Sequence, residues 1–155
     1  NNSDDEEIEQ ANIKINNKIL HQSKLINYLK LEKSKKDPTK DINDFLKKIK
    51  KNKKYFFSKK DVILVEAFKS DGIKILEKYN DLYQINESEI PSDIQIFVNS
   101  GDMAAALLRI VEIIGQDNLN NIDEDTLYFI ISTLNQLNAD PLRNRILFKV
   151  LPLKV

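Results

Sequence analysis

The chain has 155 residues, with 24 Lys plus Arg against 24 Asp plus Glu and a formal net charge of zero. That length suits one domain with its own core, and the charge balance excludes a global field steering the molecule to nucleic acid or membrane. The lack of cysteine excludes disulfides and thiolate metal sites, and no apolar run approaches the roughly 18 residues of a membrane span.

Lys, Asn and Ile are over-used and Arg and Gly scarce, as an AT-rich genome favours. A lysine count alone therefore says little about a basic surface. The chain opens Asn1-Asn2-Ser3 without Met, so it reads as processed or trimmed, with room for a removed signal peptide or an upstream domain.

Asn1 to Glu7 is polar and acidic and reads as a frayed end. From Ile8 a helical pattern begins. Ile8, Ile15, Ile19, Ile26 and Leu29 fall on an a/d-like seam, interrupted by Asn12 and Gln22 and widened by Leu20, Leu25 and Tyr28. Such a seam suits a partner helix or oligomer contact. The preferred reading is an amphipathic helix packed on its own domain, since only about three heptads are visible. His21, the one histidine, is expected to face solvent. Ser34 to Lys40 is a charged linker whose Pro38 ends the helix. The expected division is thus 1–40, an amphipathic helix and linker, and 41–155, a helical domain.

Asp41 is placed to cap a short helix with Ile42, Phe45, Leu46 and Ile49 on one face. Its other face opens a basic segment: Lys47, Lys48, Lys50, Lys51, Lys53, Lys54, then Tyr55-Phe56-Phe57, then Lys59 and Lys60. No acid interrupts Lys47 to Lys60. Lysines neutralise phosphates and aromatic rings stack on bases, and the same set could press on an anionic lipid surface. The competing reading is a solvated helix face followed by aromatics entering the core ahead of a cap at Ser58, where Asp61 replaces the usual Glu of a capping box.

Val62, Ile63, Val65, Glu66 and Phe68 lie on the next helix, which Asp71-Gly72 ends. Ile73 to Tyr83 fits a helix or an ordered apolar loop. Ile90-Pro91-Ser92-Asp93 starts a short helix with Ile94, Phe97 and Val98 inward. Three helices follow. Asp102 caps Met103 to Ile114, with Met103, Ala106, Leu107, Ile110, Val111 and Ile114 expected inward. Asp123 caps a helix with Leu127, Ile130, Ile131, Leu134 and Leu137 inward. Asp140-Pro141 starts the last, with Leu142, Ile146, Leu147 and Val150 inward.

No catalytic constellation emerges. Asp123, Glu124 and Asp125 cluster in a first helical turn, where they complement the dipole and cap free amides. The acidic spacing from Asp117 does not fit a calcium loop. Arg109, Arg143 and Arg145 are the only arginines, and salt bridges explain them best: Arg109 to Glu112, and the other two to Asp123, Glu124 or Asp125.

The stretch Ala105-Ala106-Leu107-Leu108-Arg109-Ile110-Val111-Glu112-Ile113-Ile114-Gly115, with Asp123 to Phe129, Pro141 to Asn144 and Leu151-Pro152-Leu153, resembles the C-terminal region of large uncharacterised helical-repeat proteins of alphaproteobacteria. The resemblance covers residues 61–155. It implies a helical-repeat architecture and an envelope location, and it transfers no site residue.

The expected fold is all-α, with short helices in stacked antiparallel hairpins, α-solenoid-like or an irregular bundle, and a longer N-terminal helix. The expected function is a non-catalytic scaffold or protein–protein interaction domain forming the C-terminal part of a larger bacterial protein, with no metal or cofactor. The alternative is nucleic-acid or anionic-surface binding through Lys47–Lys60.

Overall fold

Ile13–Lys14 (β1) pairs antiparallel with Leu153–Lys154 (β2), with Ile13 opposite Lys154. The Val155 N–H extends the ladder to the Asn12 carbonyl at 2.8 Å. In this computed structural model, which describes residues 12–30, 36–83, 90–116 and 118–155, the two ends of the described chain are therefore laced together.

Between them the described residues form six α-helices: α1 Thr39–Lys51, α2 Lys59–Ser70, α3 Ser92–Asn99, α4 Met103–Ile114, α5 Glu124–Gln136 and α6 Asp140–Val150. Short 3-10 turns at Leu20–Gln22, Lys24–Leu29, Glu77–Leu82 and Leu119–Asn121 fill the connections. The all-α character expected from the sequence holds.

Helix α2 lies at the centre. Val62, Ile63, Leu64, Val65, Ala67 and Phe68 are each at most 2% exposed, so nearly its whole circumference is covered. A helix apolar all round belongs in a core, and burying a side chain such as Leu64 is worth about 1.5–3 kcal/mol. Its principal neighbour is α5, which presents Leu127, Ile130, Ile131 and Leu134. Helix α6 packs on α5 and on the Lys24–Leu29 turn, and α3 packs on α4 and α5.

Caps set the helix starts. Ser58 Oγ accepts from the Asp61 N–H at 3.2 Å while Asp61 Oδ2 accepts from the Ser58 N–H at 3.1 Å, a reciprocal capping box. Asp102 accepts from the Ala105 N–H and Asp123 from the Thr126 N–H, as the sequence suggested. Helix α1 starts earlier than expected: it begins at Thr39 behind Pro38, and Asp37 accepts from the Thr39 N–H at 2.9 Å. Asp41 instead accepts from the Tyr28 hydroxyl at 2.6 Å. Gly115 ends α4 at φ +60° and ψ −137°, a conformation that only glycine adopts without strain.

The N-terminal region departs from the sequence reading. Residues 12–30 form no α-helix, and the expected long amphipathic helix is replaced there by β1 and two 3-10 turns. The cause is competition for backbone groups. Asn16 and Asn17 side chains accept from the Lys18 and Lys24 N–H groups, and Ser23 Oγ bonds the Leu20 carbonyl and the Leu25 N–H. Short polar side chains divert backbone from helical pairing in this way. The Leu20 and His21 N–H groups are taken by Tyr55 and Asp61. Leu20, Leu25, Ile26 and Leu29 join the same core as the helices. The acidic start, Ile8, residues 31–35 with the first two linker positions, and Asp117 lie outside the described residues.

Candidate functional site

The seam proposed for a partner helix is not assembled among the described residues. Ile26 and Leu29 are spent in the core, Ile19 is half-buried, and Ile15 is 37% exposed beside β1. Without a continuous helix these four residues do not share a face, and they offer no continuous contact to a partner.

The basic segment divides into two sets. Lys47, Lys48, Lys51, Lys53 and Lys54 are exposed along the end of α1 and the turn after it. None of these five ion-pairs with an acid among the described residues. Lys50 reaches Asp81 at 3.6 Å and the Lys78 carbonyl at 2.5 Å, and Lys59 binds Asp125 and lies over the Tyr128 ring. Lys60 is half-buried. The aromatics divide too. Phe57 lies between Tyr55, which it meets edge-on, and Tyr83, with centroids 6.4 and 6.0 Å away. Phe56 points out, 84% exposed.

Tyr55, proposed as a base-stacking ring, is structural. Its hydroxyl donates to Asp61 Oδ2 at 2.8 Å and accepts from the Leu20 N–H at 2.8 Å. Burial, with the neighbouring Asp61 carboxylate, pushes its ionisation far above the ordinary tyrosine value.

The partner of Tyr55 centres a buried polar cluster that sequence reasoning missed. Asp61 is 1% exposed and His21 7%, which corrects the expectation of a solvent-facing histidine. Asp61 Oδ1 accepts from the His21 N–H at 3.0 Å and meets His21 Nδ1 at 2.6 Å, while Oδ2 takes the Tyr55 hydroxyl and the Ser58 N–H. Four polar groups, two on each oxygen, thus surround one carboxylate. Ser, His and Asp are adjacent here, yet they do not form a nucleophilic triad. Ser58 Oγ approaches the same ring nitrogen as Asp61, Nδ1, at 3.4 Å, whereas a triad needs serine and carboxylate on opposite nitrogens. The Asp at the third helical position was visible as a cap. Nothing in the sequence tied it to a histidine 40 residues away.

A second buried polar group is Arg143, fully enclosed on α6. Its guanidinium donates to Asp71 Oδ2 at 2.8 Å, Asn135 Oδ1 at 3.1 Å, Asn144 Oδ1 at 2.9 Å and the Ala67 carbonyl at 3.4 Å. It therefore ties α6 to the C-terminal ends of α2 and α5, rather than to Asp123, Glu124 or Asp125. Arg109 does meet Glu112, at 3.3 Å, and makes a shorter bond to Asp93 at 2.7 Å. That bond holds the Asp93 carboxyl below the usual range. Asp123 is lowered as well, chiefly by the Thr126 N–H it caps. Among the described residues, no three His, Asp or Glu side chains are grouped to hold a metal ion.

The other surface feature is apolar. Helix α4 reads Met-Ala-Ala-Ala-Leu-Leu-Arg-Ile-Val-Glu-Ile-Ile, apolar nearly all round. Ala106 and Ile110 are buried, and Leu107 and Ile114 pack on the core. Val111 and Met103, expected to face inward, are instead 60% and 44% exposed, and Leu108 is 62% exposed. Ala104, Leu108 and Val111 follow i, i+4, i+7 spacing and line one outward stripe. On α3, Ile96 is 65% exposed. Leu142 on α6 also lies outside, at 41%. Among the described residues no helix is long and apolar enough to cross a membrane.

No family model, curated protein or solved structure matches this chain.

Proposed function

We propose that this chain is a non-catalytic helical interaction module that docks a protein partner on the outward face of α4. The observation that carries the reading is the exposure of Leu108 and Val111, one turn apart on a helix with only two charged side chains. A helix apolar on both sides is normally covered on both, and clustered exposed apolar side chains on a folded domain mark interaction sites. The two charged groups of α4 do not disrupt this face, because Arg109 is occupied by Asp93 and Glu112. The buried polar clusters support the same reading, since the hydrogen-bonding capacity of Asp61 and Arg143 is spent on packing. The resemblance to the C-terminal regions of large helical-repeat proteins would make this unit one surface of a longer scaffold.

The test is retention of a defined partner by the full chain and by a Leu108→Asp, Val111→Asp double variant of unchanged circular dichroism. A stoichiometric protein held by the parent and lost from the variant supports the reading. Equal retention by both chains, or none by the parent, overturns it.

A second reading, polyanion binding, rests on the five exposed lysines that ion-pair with no acid among the described residues. It predicts a mobility shift of oligonucleotides that weakens steeply as salt is raised.

A further inference from the structure

The turn between α1 and α2 combines two features that the protein-docking reading does not use. Charge comes first. The 14 positions from Lys47 to Lys60 hold eight lysines and no acid, in a chain whose acids and bases are equal in number. Lys50 and Lys59 are engaged with Asp81 and Asp125. The nearest acid on α1, Asp44, is held by Lys40 at 2.8 Å. Lys47, Lys48, Lys51, Lys53 and Lys54 thus form an edge of positive charge with no acid in direct contact among the described residues.

The second feature is Phe56, 84% exposed two residues after Lys54. The turn presenting it is tied down. The Tyr55 N–H donates to the Asn52 carbonyl at 3.0 Å, the Lys54 N–H to Asn52 Oδ1 at 3.1 Å, and the Tyr55 hydroxyl is anchored on Asp61. Tyr55 and Phe57 on either side turn inward. Phe56 is therefore held out in water by a fixed backbone, and its exposure does not come from a loose loop.

We propose that this edge docks on an anionic lipid surface, with Phe56 entering the interfacial layer and the five lysines lying on the headgroups. Interfacial binding scales with the apolar area buried plus the electrostatic attraction to anionic lipids; Phe56 would supply the first and the lysines the second, their stems lying along the interface while the ammonium groups stay wet. The proposal rests on the anionic-surface form of the second reading above. Single-stranded nucleic acid fits less well. Stacking platforms use successive aromatic faces, and here one ring is accessible. The edge also lacks arginine, whose planar fork reads phosphates and base edges bidentately. All three arginines lie elsewhere.

The experiment uses the full chain in vesicle flotation, with pure phosphatidylcholine against phosphatidylcholine containing phosphatidylglycerol. Because the chain has no tryptophan, a Phe56→Trp variant reports insertion by its own fluorescence. The expected results are flotation with the anionic vesicles alone and a blue shift of the introduced indole's emission on binding. A Lys51→Gln, Lys53→Gln, Lys54→Gln triple variant should bind about 100-fold more weakly, from about five-fold per lysine near the surface. Lack of binding to anionic vesicles overturns the proposal, as does binding with unshifted emission. Tighter binding of a single-stranded oligonucleotide than of anionic vesicles at the same salt also overturns it, while leaving the broader polyanion reading standing.

Discussion

His21 Nδ1 and Asp61 Oδ1 lie 2.6 Å apart across 40 residues of sequence, and the same carboxylate oxygen accepts the His21 backbone N–H. Asp61 thus caps α2 and pins the N-terminal segment with one side chain. Removing it orphans buried donors on both sides, and an unsatisfied buried group costs about 1–3 kcal/mol. Asp61→Ala is expected to destabilise the fold by about 3 kcal/mol. Hydrogen exchange should show the Leu20 and His21 amides losing protection before those of α5. Unchanged protection would contradict the pinning role.

Adjacent aromatics should behave oppositely. Tyr55→Phe removes the hydroxyl that links the Leu20 N–H to Asp61, at an expected cost of about 1–3 kcal/mol. Phe56→Ala removes a ring that is 84% exposed and should change stability by no more than about 0.5 kcal/mol. Urea denaturation of the two variants checks this directly.

Arg143 should not tolerate lysine. Its guanidinium spreads over Asp71, Asn135, Asn144 and the Ala67 carbonyl, and an ammonium cannot reproduce that fork. Arg143→Ala is expected to cost about 3–5 kcal/mol, the range for breaking a buried ion pair from one side. Arg143→Lys should recover only part of that loss in thermal or urea unfolding.

Acid should weaken the fold in part through Asp123 and Asp93, whose folded-state pKa values are lowered. A depressed pKa contributes stability that is present above the ordinary aspartate value, about 3.9, and is lost as pH falls through the lowered value. Asp123→Asn keeps an oxygen that can accept from the Thr126 N–H but does not titrate. Between about pH 5 and pH 2 its melting temperature should therefore fall less steeply than that of the parent.

The helices after residue 58 were legible because their signals are local. Ser58, Asp102 and Asp123 cap within three residues, and Leu127, Ile130, Ile131, Leu134 and Leu137 keep a helical period and are all buried. The N-terminal helix was misread because its apolar spacing was real but its backbone groups were claimed from outside. Pairing with Leu153–Lys154 and bonds to Tyr55 and Asp61 are long-range facts that no periodicity contains. His21 and Tyr55 were misplaced for the same reason. The outward face of α4 was hidden differently: apolar residues on every side of a helix cannot say which side the core will take, and Val111 was assigned inward.

The most direct test of that face is site-specific photo-cross-linking from position 108 in cells, with a probe at exposed Lys74 as the control. The protein-docking account predicts a discrete protein adduct from position 108 that is absent from position 74 and lost on Val111→Asp. The same adducts from both positions, or none from 108, would contradict it.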